Sequence, residues 1–246
     1  MANPKYRADQ LLVEQGLAAN RERAKRLVMA GQVFLDQDGR RERLDKPGRM
    51  LPATVVLSLV EPERYVSRGA YKLLTALEHF GLDVTGVSVL DVGASTGGFT
   101  DCLLQHGAAK VYAVDVGKSQ LHEKLRADPR VMSLEGVNFR LAQPGLIGEM
   151  VDMAVIDVSF ISLTKVLPAV KGFLKPGGRI VALVKPQFEL GPGQTVKGVV
   201  RDEGLRLLAV QMVESAAREL GLTPCGVVPA GVKGPKGNQE YLLLLR

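Results

Sequence analysis

Four segments of the chain are apolar at almost every position: VSVLDV (87–92), KVYAVDV (110–116), VDMAVIDVSF (151–160) and RIVALVKP (179–186). A strand with one face in water alternates apolar and polar residues, whereas a near-continuous apolar run needs cover on both faces. Stretches with helical spacing separate or follow these runs, at 98–105, 118–126, 162–174 and 202–220, and a shorter strand, VMSLEG (131–136), fits the same order. Such alternation predicts an α/β fold, a mostly parallel Rossmann-like sheet with helices on both faces. Two last strands, near 224–230 and 240–245, have no long helix between them, so an antiparallel closing hairpin is expected. The helix-like SRGAYKLLTALEHFG (67–81) leads into this region.

The residues before it follow another pattern. RADQLLVE (7–14) has helical spacing and stops at Gly16; Asn20 is placed to cap a second helix, NRERAKRLVMAG, which ends at Gly31. A strand QVFLD, a turn at Asp38-Gly39, further arginines and a β-prone TVVLSLVE (54–61) follow. We expect a small α+β domain over 1–61, a linker over 62–66 around Pro62, and the α/β domain over 67–246.

Charge separates the two regions. Residues 1–72 hold 14 Lys and Arg against nine Asp and Glu, whereas the remainder holds 18 against 17. A cationic first third suits a polyanionic partner. Two distant cysteines, Cys102 and Cys225, suggest neither a disulfide framework nor a zinc site and fit a reducing cytoplasm. The three histidines have no metal-ligand spacing, and no metal is expected. No apolar run approaches the ~18 residues that span a bilayer, so no membrane partner is expected.

The first apolar strand runs into DVGASTGGFTD (91–101). In open α/β sheets ligands bind beyond the carboxyl ends of the strands, where this turn lies. Gly93, Gly97 and Gly98 allow close backbone approach, and Ser95 and Thr96 add hydroxyls. Asp115, ending the next strand, can accept both hydroxyls of a ribose. The dinucleotide fingerprint G-x-G-x-x-G fails at Ser95, and Asp91 suits an ammonium or sulfonium better than a pyrophosphate. The segment therefore favours S-adenosyl-L-methionine over a nicotinamide dinucleotide. The fourth and fifth strands end at Asp157 and Lys185, on neighbouring strands and facing one crevice. Asp157-Val158-Ser159-Phe160 lacks the prolines typical of base-directed amino-methyltransferases. Cys225 lies far from the loop that carries a carbon-5 nucleophile and is read as structural. A hydroxyl acceptor with lysine handling the proton remains.

With SRGAYKL (67–73), DVGASTGGFTD, the Asp157 strand, KPQFE (185–189) and GNQEYLLLL (237–245), nearly the whole chain resembles the TlyA family. Its members are ribosomal-RNA 2′-O-ribose methyltransferases, often labelled haemolysins, with an FtsJ-like catalytic domain and an N-terminal alpha-L RNA-binding module. The resemblance implies a catalytic tetrad at Lys72, Asp157, Lys185 and Glu240. It also implies cofactor contacts along Asp91, Gly93, Ser95, Thr96, Gly97, Gly98 and Phe99, at Asp115 and Val116, and at Asn138 and Phe139 on the adenine side, with Asp157 shared. RNA contacts are expected at Arg7, Arg21, Arg23, Lys25, Arg26, Arg64 and Arg68, with ribosomal RNA or ribosomal subunits as partners and cytidine as the modified nucleotide. Before its Ser-Arg-Gly this chain has Arg64-Tyr65-Val66, shorter than the family's Arg-x-Trp-Val. A neutral lysine must take the 2′-hydroxyl proton, and desolvation and a second nearby cation both favour the neutral amine. Lys185 is read as that base with Lys72 as the second cation, although the two could be exchanged. A non-catalytic RNA-binding assembly factor retaining the fold is the alternative.

Overall fold

The computed structural model describes residues 4–37, 40–60, 64–191 and 193–246. The chain divides into two compact units, Met1–Arg64 and Tyr65–Arg246. The division falls inside the expected linker, of which Pro62 and Glu63 lie outside the described residues, as does the expected Asp38-Gly39 turn.

In the first unit, β1 (Lys5–Arg7) leads into α1 (Ala8–Glu14), followed by α2 (Arg21–Met29), β2 (Val33–Gln37), β3 (Arg40–Arg43), β4 (Met50–Pro52) and β5 (Val56–Leu59). The Asn20 side chain accepts the Arg23 N–H at 2.9 Å, the expected cap of α2. Strand β2 pairs antiparallel with β3 and β5. A second, two-stranded sheet joins β1 to β4, opposing Tyr6 to Leu51, and was not anticipated. Strands of three residues carry too little periodicity to be read. Leu11, Leu12, Leu27, Val28, Val33, Leu35 and Leu57 share one buried core.

The second unit begins with α3 (Ala70–His79) and β6 (Ser88–Val92). It continues through α4 (Gly98–Gln105), β7 (Lys110–Asp115), α5 (Glu123–Arg126), β8 (Val131–Glu135), β9 (Val151–Ile156), α6 (Leu167–Lys171), β10 (Leu174–Val184), α7 (Pro186–Glu189), α8 (Glu203–Glu219), β11 (Pro224–Pro229) and β12 (Tyr241–Leu245). These strands form one seven-stranded sheet in the order β11-β12-β10-β9-β6-β7-β8. From β10 to β8 neighbours are parallel; β12 runs antiparallel to both β10 and β11. Alternate strand residues serve two cores. Val89, Val111, Met153, Val155, Val181 and Leu183 pack with α3 and α4 residues on one face. Leu90, Val92, Val114, Ile156, Ile180 and Val184 pack with α6 and α8 residues on the other. The unbroken apolar runs in the sequence are the imprint of these two covers.

Two expected helices are shorter than their spacing suggests. Of 118–126 only four residues are helical. Upstream, Ser119 and Gln120 give their N–H groups to the Glu135 carboxylate at 2.7 and 3.2 Å, and Ser119 takes a left-handed backbone, φ 56°. Of 162–174 there remain a 3-10 turn at Leu163–Lys165 and the five-residue α6, with a proline in its first turn. Strand β10 starts at Leu174, earlier than expected, because the chain re-pairs with β9 across an irregularity between Leu174 and Arg179.

Candidate active site

Three parallel strands, β6, β9 and β10, end side by side, and the loops that follow them, with those after β7 and β8 and the start of α3, line two adjoining cavities. One, of about 440 Å³, is lined among others by Gly93, Asp115, Val116, Asn138 and Phe139. Its neighbour, of about 230 Å³, is lined by Lys72, Thr96, Gly98, Phe99 and Lys185 among others. Gly93, Ser95, Asp157 and Ser159 border both. After β6 the chain turns through Gly93 at φ 87°, and a Cβ there would lie 2.5 Å from the Asp157 carbonyl oxygen. Glycine is what lets the loops after β6 and β9 touch.

Asp115, at the end of β7, accepts the Ser95 N–H on Oδ2 at 2.8 Å and the Gly117 N–H on Oδ1 at 2.7 Å. Its carboxylate is thereby fixed on the wall of the larger cavity, with further lone pairs to spare.

Asp91 and Gly97, both expected at the ligand, line neither cavity. Asp91 is wholly buried, and its Oδ2 accepts the Thr100 hydroxyl at 2.6 Å while Oδ1 has no partner among the described residues. Burial pushes its carboxyl up to about 7; the Thr100 hydroxyl opposes the shift and the nearby Asp157 charge adds to it. Gly97 is backed by Leu121 and Leu125, against which a Cβ would clash. Sequence position placed both in the motif, but Asp91 is a residue of β6 and Gly97 caps the start of α4.

The smaller cavity gathers the lysines. Lys185, 7% exposed, is held at the end of β10 with its Nζ 2.6 Å from Asp157 Oδ1. That oxygen lies off the direction a hydrogen bond would take, and the directed bond of the amine goes to Ser159 Oγ at 2.8 Å. Lys72, on the first turn of α3 and 8% exposed, donates to Glu240 Oε2 at 2.5 Å. Glu240 is fully buried behind it, just before β12. Each amine is therefore partnered by one carboxylate.

Several residues that shape the site were not legible in the sequence. A Cβ on Gly234 would fall 2.0 Å from Glu240 Oε1, so any side chain there would push the Glu240 carboxylate out of its present place. Asn238, buried, accepts the Val200 N–H and donates to the Gly198 carbonyl, tying the 193–200 loop to the segment that carries Glu240. Glu189 accepts the Ser162 hydroxyl at 2.5 Å and the Leu163 N–H at 3.0 Å, bracing the loop after Asp157 against the turn after Lys185. Burial pushes the Glu189 carboxyl up, against the effect of those two bonds. Only Asn238 and Glu189 carried any signal, as polar residues inside the GNQEY and KPQFE motifs.

A broader cleft of about 720 Å³ opens next to Lys72, lined by Arg68, Lys233 and Lys236 among others and, among the described residues, by no carboxylate. In the first unit the expected RNA-binding cations differ in their surroundings. Arg7 chelates the buried Asp9 with two bonds of 3.0 Å, Arg21 joins at 3.3 Å, and Lys25 pairs with Glu22 at 2.7 Å. Burial of Asp9 makes Arg7 and Arg21 part of the fold as well as of the surface. Arg23 and Arg26 are exposed and form no salt bridge among the described residues. Cys225, read as structural rather than as a nucleophile, is exposed on β11 and borders neither cavity. Among the described residues, no three His, Cys, Asp or Glu side chains cluster to hold a metal, and no helix is long and apolar enough to cross a membrane.

Residues 65–246 match the family described as FtsJ-like methyltransferase. Over 243 residues the chain is 49% identical to the 16S/23S rRNA (cytidine-2′-O)-methyltransferase TlyA of Mycobacterium tuberculosis, covering 98% of this chain and 89% of that protein. It is 38% identical to Hemolysin A of Brachyspira hyodysenteriae, over 96% of this chain and 98% of that one. A Streptococcus thermophilus structure solved under a hemolysin name superposes with a TM-score of 0.74 at 47% identity, covering 99% of this chain and 89% of that one. The chain belongs to the FtsJ-like methyltransferases, among relatives that carry both the TlyA and the hemolysin names.

Proposed function

We propose that this protein transfers a methyl group from S-adenosyl-L-methionine to a ribose 2′-hydroxyl of ribosomal RNA, on a cytidine, in the cytoplasm. The observation that carries the reading is the pairing of two buried lysines with two carboxylates at a cavity that adjoins a second, larger one of about 440 Å³. The names of the curated relatives supply the substrate class.

The residues present suit the cofactor. The larger cavity lies in the size range of small-molecule sites. Asp115 offers lone pairs to two ribose hydroxyls, Val116 and Phe139 offer apolar faces to an adenine, and Gly93 opens the loop for close approach. When bound, S-adenosylmethionine supplies an electrophilic methyl on a positive sulfur.

The chain's own part is to orient and deprotonate the acceptor. Lys185 Nζ, carrying a lone pair, accepts the 2′-hydroxyl proton. The oxygen so activated would be the acceptor for the methyl that a cofactor held by Gly93, Asp115, Val116 and Phe139 would supply. Asp157 stabilises the ammonium that forms, and Lys72, held by Glu240, places a second cation near the developing alkoxide. The proton leaves Lys185 to solvent after transfer. Holding both reactants in line is worth several powers of ten in rate.

Residues 1–61 serve in this reading as the RNA-binding module, with Arg23 and Arg26 meeting phosphates, and the cationic cleft beside Lys72 receives the RNA near the target.

The test is methyl transfer from labelled cofactor to ribosomal subunits. Lys185→Ala should lose about 10²–10⁴-fold, the range for a lost general base. Lys185→Arg should not recover it, because a guanidinium stays protonated. Product digestion should place the label on ribose. An active Arg variant would show that Lys185 contributes charge and that the proton goes elsewhere, and label on a base would remove the 2′-hydroxyl from the reading.

A further inference from the structure

A lysine acting as a base must point its lone pair at the proton it takes, and the Cε–Nζ bond rotates freely unless something stops it. At Lys185 the two neighbouring oxygens contribute differently. Asp157 Oδ1 is close, at 2.6 Å, but off the hydrogen-bond direction, so it supplies charge rather than orientation. Ser159 Oγ, at 2.8 Å, takes the one directed hydrogen bond that the amine makes among the described residues.

We infer that Ser159 is a positioning residue, whose hydroxyl stops the rotation of the Lys185 amine and so aims its lone pair at the 2′-hydroxyl. The inference rests on the reading of Lys185 as the base. A neutral amine has two N–H bonds and one lone pair in a tetrahedral arrangement. With one N–H directed to Ser159 and the other leaning to Asp157, the remaining direction belongs to the lone pair. Without Ser159, Asp157 alone sets the rotor. Its off-axis contact relaxes by turning an N–H straight at the carboxylate, and the lone pair swings with it.

Ser159 stands where this role needs it. It borders both cavities, at the meeting point of acceptor and methyl donor. The loop that carries it is held on both sides. Phe160 adopts φ 65°, a region that bulky residues rarely enter, and its ring lies 5.0 Å from Phe188 on the turn after Lys185. Glu189, buried on that same turn, accepts the Ser162 hydroxyl and the Leu163 N–H. The ring contact and the two Glu189 bonds tie the loop that follows Ser159 to the segment that follows Lys185.

The proton count is unchanged by this role. The 2′-O–H bond breaks, its proton joins the Lys185 lone pair, and Ser159 accepts an N–H bond before and after without gaining or losing a proton.

The experiment compares Ser159→Ala, Ser159→Thr and Lys185→Ala, each as the full chain, in steady-state methyl transfer to ribosomal subunits, with cofactor affinity measured separately by calorimetry. Ser159→Ala should lower kcat by about 10–100-fold, as expected when a base is present but misaligned. The KM for subunits and the cofactor Kd should stay within about threefold. Ser159→Thr, which keeps the acceptor oxygen, should return kcat to within about threefold of wild type. Wild-type kcat in Ser159→Ala, with Lys185→Ala inactive, would overturn the inference and leave the base assignment standing. An active Lys185→Ala would remove the base assignment and the inference with it. A large loss of cofactor affinity with kcat intact at saturation would make Ser159 a cofactor contact instead.

Discussion

Replacing Asp115 with alanine tests the cofactor site at the residue that both shapes the cavity and faces it. The carboxylate accepts the Ser95 N–H on one oxygen and the Gly117 N–H on the other, at 2.8 and 2.7 Å. Each oxygen keeps a lone pair for a ribose hydroxyl. Hydrogen bonds to a charged group contribute about 1.5–3 kcal/mol. The side chain is only half-buried, and solvent weakens each of the two bonds, so about 1.5–3 kcal/mol for the pair together is the expected loss. That corresponds to about a 10- to 150-fold rise in Kd. Asparagine should do no better than alanine, because its amide NH₂ must face either the Ser95 or the Gly117 N–H, donor against donor. The assay is calorimetric titration with S-adenosylmethionine and, as a control, with adenosine. The weakening should be the same factor for both, since the ribose is common to them. Unchanged affinity in the alanine variant would remove Asp115 from the site; weakening confined to S-adenosylmethionine would place it at the methionine end.

Asp91 is held neutral by burial up to about pH 7, whereas in the unfolded chain it ionises near 4. Between those values the folded state keeps a proton that the unfolded state has lost, so stability falls as pH rises through this window, by at most roughly 4 kcal/mol, and is flat above it. Denaturant midpoints of the ligand-free protein should show this fall for wild type and not for Asp91→Asn; parallel pH curves would refute it. Arg23→Glu with Arg26→Glu should weaken RNA binding and flatten the plot of log affinity against log salt by about two phosphate contacts' worth, roughly 1.8 in slope. Cofactor affinity should not change, and an unaltered salt slope would show that this face of α2 meets only solvent.

Much of the second unit can be read along the chain because a strand covered on two faces must be apolar at every position. Val89 and Leu90 go to different cores, yet both must be apolar, and the same holds for Val181 and Ile180. That local requirement sets the strands and points to a mostly parallel sheet, with Asp157 and Lys185 at strand ends. The cap at Asn20 is likewise a short-range matter, settled within three residues. Helix lengths were less legible. Spacing over 118–126 favoured a helix, but Glu135, a strand away, takes the N–H groups of Ser119 and Gln120.

Around the lysines, the sequence determined which groups are available and left their partners open. Glu240 and Lys72 are 168 residues apart and meet only because β12 enters the sheet beside β10. Asp91 sits in the loop motif, yet it is the fourth residue of β6, and the alternation of that strand sends its side chain to the α4 face, where it meets Thr100. Ser159 looks like any loop serine until the fold places its oxygen 2.8 Å from the Lys185 amine. Side-chain identity and local period follow from the order of residues. Distance, direction and burial between remote residues arise only when the sheet closes, because they depend on packing that no short window of sequence contains.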